Sequence, residues 1–239
     1  MQNLNQTWIN KFYNKLTSPQ TIRFCGYSVM GLYIGLVCIA YIVAFLFGSE
    51  SYSIFNNYIS DLGSIRFTPF PIIYDLACVF AGILTIPFIF YLERYIAPIP
   101  QSQDELPAPH RWTYRLVGLN FFFNMLGSIF YVGVGIFSED RDYFGMHGIC
   151  SYVTFGGFAF AALFLGITLL FTKQNIVPKP FNCIIGSIGI VLPITIAILN
   201  LIYGGPLLEW LLLFAILIWT IPLFLYSLNH AHKLISKSK

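Results

Sequence analysis

The chain has 239 residues, 57% of them hydrophobic, 18% aromatic and only 10% charged, with a formal net charge of +3. A soluble domain carries roughly 25% charged residues, so a water-exposed globule is excluded, and the absence of any basic cluster interleaved with aromatics excludes nucleic acid as a partner. The five cysteines, Cys25, Cys38, Cys78, Cys150 and Cys183, are odd in number, sit in or beside apolar stretches and match neither a disulfide framework nor a zinc spacing.

The chain begins with a short amphipathic segment. Leu4, Trp8, Ile9, Phe12, Tyr13 and Leu16 fall on one half of a helical wheel, and Gln6, Thr7, Asn10, Lys11, Asn14 and Lys15 on the other. Residues 1–21 are therefore predicted to form a cytoplasmic interfacial anchor. Six stretches long enough to cross a bilayer core follow, at about 24–47, 70–96, 112–137, 147–171, 181–203 and 207–228. Period-two alternation is absent, so helices rather than barrel strands are expected. The first stretch is full length and lacks a small-residue cleavage site, which predicts a retained signal anchor. The predicted fold is all-α: one polytopic domain over residues 1–239, a bundle of six transmembrane helices.

Lys and Arg set the orientation, because short basic loops stay cytoplasmic. Eleven of the 13 precede the first span, flank the connections after the second and fourth, or end the chain, whereas only Arg66 and Arg141 lie in the other connections. Both termini are expected in the cytoplasm. The connection after the second span, with Pro98, Pro100, Pro107 and Pro109 around Asp104 and Glu105, is expected to be an extended solvated loop. His110 within it, and His230 and His232 after the sixth span, are expected to be solvated surface histidines.

The outward connections hold the polar motif Asn56-Asn57-Tyr58-Ile59-Ser60-Asp61-Leu62-Gly63-Ser64. Ser60 and Asp61 suit capping or Asx turns, Gly63 permits positive φ, and Pro69 and Pro71 can open a helix. Asp75 stands about one turn into the second span, where an acid is costly without a partner or water. In the third span Asn120, Asn124 and Ser128 recur on one face, as helix-to-helix glue or as a polar path. His147, Ser151 and Thr154 recur on one face of the fourth, and Asn200 lies near the outer end of the fifth. An outward pocket gathering Asn57, Ser60, Asp61, Asp75, Asn124, Ser128, Glu139, His147 and Ser151 is expected. The N-termini of the second and fourth spans point outward, suited to a phosphate or other anion, for which a lipid head group is the natural candidate.

The run Tyr58-Ile59-Ser60-Asp61-Leu62-Gly63 followed by Pro69 to Pro71, with Gly135-Ile136-Phe137-Ser138-Glu139 ahead of His147-Gly148 and Phe155, resembles the domain of unknown function 998 family. More distantly it resembles the six-span Frag/DRAM/Sfk-like membrane proteins. The resemblance covers nearly the whole chain and implies a six-helix bundle, with Ser60, Asp61, Gly63, Glu139 and His147 as the positions of interest. The eukaryotic members are linked to lipid remodelling, lipid asymmetry or autophagy regulation. Leu62 departs from their usual small or polar residue.

Three functional readings remain open. One is a non-enzymatic membrane protein that binds lipid head groups or regulates, with membrane lipids as partners and no protein partner or cofactor legible. Another is an intramembrane acyltransferase or hydrolase with His147 as base, Ser60 or Ser151 as nucleophile and Asp61 or Asp75 orienting the base. A metal-dependent variant would use His147 with Asp61, Asp75 or Glu139. The third is a small-molecule transporter, for which Pro87, Pro193 and Pro222 interrupt spans without any internal repeat.

Overall fold

The computed structural model describes residues 8–49, 51–98, 110–172 and 176–237. Leu4, Gln6, Thr7, the proline-bearing stretch 99–109, Lys173 and Lys239 lie outside the described residues.

Seven α-helices make up the described chain: α1 (Trp8–Leu16), α2 (Pro19–Phe47), α3 (Ile72–Ile96), α4 (Arg111–Ile136), α5 (Met146–Phe171), α6 (Phe181–Tyr203) and α7 (Pro206–Lys237). The last six are long and apolar enough to cross a membrane, and the chain is an integral multi-pass membrane protein. Large apolar side chains such as Phe45, Ile83, Phe122, Ile198 and Ile218 are exposed on the outside of the bundle, as expected where the surroundings are hydrocarbon rather than water. Each spanning helix packs on the next, and α7 closes the ring against α2. Six antiparallel spans bring both termini to one end, the terminal end, and place the Asn56–Ser64 motif at the other, the motif end.

Local chemistry sets the helix limits. Ser18 caps α2, its side chain accepting from the Thr21 amide at 3.2 Å, with Pro19 at the first helical position. This starts the helix about one turn before the apolar run. At its far end α7 continues to Lys237, well past the predicted limit near 228. That extension corrects the reading of His230. It is half-buried, its Nδ1 lies 2.7 Å from the Tyr91 hydroxyl, and its ring packs edge-on against Tyr95. His110 is exposed, accepting from the Trp112 amide at 3.4 Å, and His232 is exposed.

Helix α1 presents Trp8, Ile9 and Phe12 to the outside. It is fastened to α3 through Tyr13 and Asn14: the Tyr13 hydroxyl donates to Glu93 at 2.7 Å and Arg94 donates to Asn14 at 2.9 Å.

Without a hydrophobic drive between helices in lipid, close backbone approach and side-chain amides hold the bundle. A β-carbon on Gly157 of α5 would stand 2.9 Å from the Gly127 backbone of α4, so these two helices touch through bare backbone. Asn120 of α4 donates to the Ala161 carbonyl of α5 at 2.9 Å, and Asn182 of α6 to the Leu169 carbonyl of α5 at 3.1 Å. Each such bond contributes about 0.6 kcal/mol. Asn120 thus fills the helix-glue role expected for its stripe.

Candidate functional site

The motif after α2 is packed rather than solvated: Tyr52, Ile59 and Leu62 are fully buried. Ser60–Gly63 form a single helical turn. The Asp61 carboxylate ties the turn, accepting from the Tyr58 amide at 2.9 Å and from Asn57 Nδ2 at 3.4 Å, while Asn57 Oδ1 accepts from the Ser53 amide at 3.1 Å. Trp210 of α7 donates to the Asn57 carbonyl at 3.0 Å and so anchors the turn to the bundle. Gly63 corrects an expectation: it does not adopt positive φ. Space demands glycine there instead, because a β-carbon would stand 3.0 Å from Asp75 Oδ1 and 3.3 Å from the Tyr74 ring.

The connection before α5 locks onto this turn. Ser60 Oγ donates to Glu139 at 3.0 Å; Ser64 Oγ and the Ile65 amide donate to Asp140 at 2.9 and 2.7 Å. The chain then enters α5 through Phe144 and Gly145, both at positive φ (57° and 73°), the first with a fully exposed ring. Asp142 caps the helix, accepting from the His147 amide at 2.7 Å. At the helix start where an anion site was expected, the protein's own Asp142 carboxylate takes the His147 amide and repels a second negative group.

Beneath these connections lies a cavity of about 560 Å³ between α5, α6 and the start of α7. Ser60, Glu139, His147, Ser151, Asn200 and Glu209 form its polar end. Phe155, Ala159, Ile194, Ala197 and Leu212 form the apolar wall further into the bundle. Pro193 removes one backbone bond from α6 immediately before Ile194 reaches that wall. Tyr152, Phe160, Ile198 and Leu201 line the cavity and are also exposed on the outer surface of the bundle, so the cavity is continuous with the lipid-facing side.

His147 is 8% exposed, and its Nδ1 lies 2.7 Å from the Phe137 carbonyl oxygen. A carbonyl only accepts, so Nδ1 carries a proton, and in the neutral tautomer Nε2 is the accepting edge of the ring. That Nε2 is buried and has no hydrogen-bond partner. Asp61 and Glu139 lie within side-chain reach of each other. Burial first, and then the Glu139 charge, push Asp61 up to about 6; burial likewise raises Glu139, which its bond from Ser60 only partly offsets.

Of the residues expected in one pocket, the structure brings together Ser60, Glu139, His147 and Ser151. Asp61 stands directly behind Glu139, and Asn57 behind Asp61. Asp75 goes elsewhere: buried in the first turn of α3, it pairs with Arg141, which supplies the partner that its depth demands. Asn124 lines a separate cavity of about 100 Å³ in the middle of the bundle with Tyr131 and Thr154, and Ser128 is buried beside it on α4. Among the described residues no three His, Cys, Asp or Glu side chains are gathered to hold a metal, so His147, Asp61 and Asp75 do not form a ligand set.

Sequence reasoning missed Glu209 as a site residue, although its position carries a signal: it follows Gly204-Gly205-Pro206 by one helical turn, which puts a carboxylate inside the start of a span. It is 7% exposed and lies beside the Ile59 amide.

A family described as a protein of unknown function (DUF998) matches residues 32–226 of the chain. No curated protein and no solved structure matches it.

Proposed function

The chain belongs to the DUF998 family, and we propose that it binds a membrane amphiphile non-catalytically, with the head group in the polar end of the cavity and the chain along the wall between α5 and α6. The observation that carries this reading is the gradient within one cavity, polar at Ser60, Glu139, His147 and Glu209 and apolar at Ala159, Ile194 and Ala197, together with its continuity with the lipid-facing side. An amphiphile entering sideways from the bilayer would keep its head at the interface and its chain in hydrocarbon throughout. The basic-residue count favours an outward or lumenal position for this end.

A lipid carrying a photoreactive group midway along its acyl chain tests the proposal. In vesicles the expected adducts concentrate on Phe155–Phe160 and Ile194–Leu201. Adducts spread evenly over the outer faces of all six spans would overturn it.

A second reading, hydrolysis or acyl transfer, is favoured by one observation. The unpartnered Nε2 of His147 is the general-base edge of the ring, and Ser60 and Ser151 line the same cavity. Its test is release of free fatty acid from radiolabelled phospholipid by the purified chain and loss of that release in His147→Ala.

A further inference from the structure

We infer that the head group taken by this cavity is a cation, an ammonium group held between Glu139 and Glu209; this rests on the reading of the cavity as an amphiphile site.

Three observations converge. Two carboxylates, Glu139 and Glu209, line the polar end, with Asp61 behind them, and no Lys or Arg stands among the described lining residues. The nearby Arg141 is committed to Asp75, Ser138 and the Gly135 carbonyl. An anionic head would therefore meet these acids with no lysine or arginine to offset them, and the His147 amide at the start of α5 is already taken by Asp142. Independently of the acids, His147 is nine-tenths buried on the cavity wall with an Nε2 that nothing in the protein satisfies. In the neutral tautomer that Nε2 is an acceptor and calls for a donor from the ligand, and an ammonium N–H is one. Finally, Tyr58 and Tyr152 flank the same end; aromatic faces beside carboxylates are the surroundings in which alkylated ammonium groups are bound. Asp61 and Glu139, both held above the ordinary carboxylate range by burial, have the electrostatics of acids lacking a counter-ion.

The shared chemistry has two sources, an amine-headed phospholipid or a free long-chain amine. Native mass spectrometry of the full chain in a neutral maltoside detergent separates them, using lysophosphatidylethanolamine, dodecylamine and lysophosphatidylglycerol as probes. At least one ammonium probe is expected to bind about tenfold or more tighter than lysophosphatidylglycerol. Binding of dodecylamine alone assigns the free amine; binding of both assigns the lipid as well. Glu139→Gln and Glu209→Gln should each weaken ammonium binding about tenfold and leave lysophosphatidylglycerol unweakened. Glu139, on a half-buried connection, serves where the Glu209 variant fails to fold. Equal binding of the anionic probe, or ammonium binding indifferent to the Glu139 change, overturns the inference. Ala197→Trp, which fills the apolar wall, separates the two readings. If it abolishes all three probes while no head-group preference exists, the amphiphile site stands and its cation selectivity falls. If all three bind unchanged in that variant, both fall.

Discussion

Asp75, in the first turn of α3, and Arg141, in the connection between α4 and α5, form an ion pair across the motif end, with the carboxylate buried and the guanidinium half-exposed. The pair ties the connection between α4 and α5 to the first turn of α3. Arg141 also donates to Ser138 Oγ at 3.1 Å and to the Gly135 carbonyl at 3.3 Å, so it fixes the segment that carries Glu139 to the cavity.

Arg141→Met should therefore cost more than Asp75→Asn, because it leaves a buried carboxylate unpaired. A fully buried pair broken this way loses about 3–5 kcal/mol; with Arg141 half in solvent we expect about 1–2 kcal/mol. The measurement is a double-mutant cycle on the unfolding midpoint in detergent. The double variant should recover part of the Arg141→Met loss, and strictly additive losses would show that the pair does not couple.

Gly156 and Gly157 are neighbours with opposite surroundings. A β-carbon on Gly157 meets the Gly127 backbone and the Phe123 carbonyl at 2.9 Å, whereas one on Gly156 meets nothing within 4 Å. Gly157→Ala must push α4 from α5, at about 1–3 kcal/mol. Gly156→Ala, in the same helix turn, should be neutral or slightly stabilising, since alanine is the better helix former. Comparing the two thermal midpoints removes helix propensity from the result; equal effects would mean that the α4–α5 approach is looser than described.

The six spans were legible because hydrocarbon imposes length and composition on every crossing helix, and this constraint acts locally on the sequence. The site was legible only in part. Ser60, Glu139, His147 and Ser151 announced themselves as polar residues at span ends and do meet at one cavity. Asp75 obeyed the same rule yet points to Arg141, because the rule says only that a membrane acid needs a partner, and the choice of partner is a matter of how two distant connections fold over each other. Gly63 was read for backbone freedom when its constraint is the packing of Asp75 and Tyr74, contacts that no local pattern encodes. The bond from the His147 amide to Asp142, which puts an acid where an anion site was expected, likewise depends on how the connection folds back over α5.

Trp210 tests how firmly the motif turn is fastened. Its indole donates to the Asn57 carbonyl at 3.0 Å from a buried position. Trp210→Phe keeps most of the apolar bulk and leaves that carbonyl unpaired, which costs about 1–3 kcal/mol locally. Hydrogen exchange should speed at the amides of Tyr58 and Asp61 while α4 and α5 stay protected. Acceleration spread over the whole bundle would instead assign Trp210 to global packing.

The pH dependence of stability follows from Asp61. Its native value, about 6 against an ordinary 3.8, means that the folded chain holds this proton more tightly than the unfolded chain does. Linkage then gives the sign: the contribution is fully present below about pH 4 and is lost as pH rises through about 6. The group facing Asp61 acts in the same sense: Glu139, from the connection before α5, is itself raised by burial, and the bonds from Asn57 and the Tyr58 amide oppose the shift. Among the described residues the nearby Arg141 is turned to Asp75 instead. The unfolding midpoint of the empty protein in neutral detergent should accordingly fall between about pH 5 and pH 7.5, and Asp61→Asn should flatten that fall while keeping the Tyr58 bond through its amide oxygen. A ligand carrying an ammonium group should oppose the same fall, because it neutralises the carboxylates that ionise over that range. A midpoint that rises across this interval, in the wild type and the asparagine variant alike, would contradict the assignment of Asp61 as the proton-holding acid of the site.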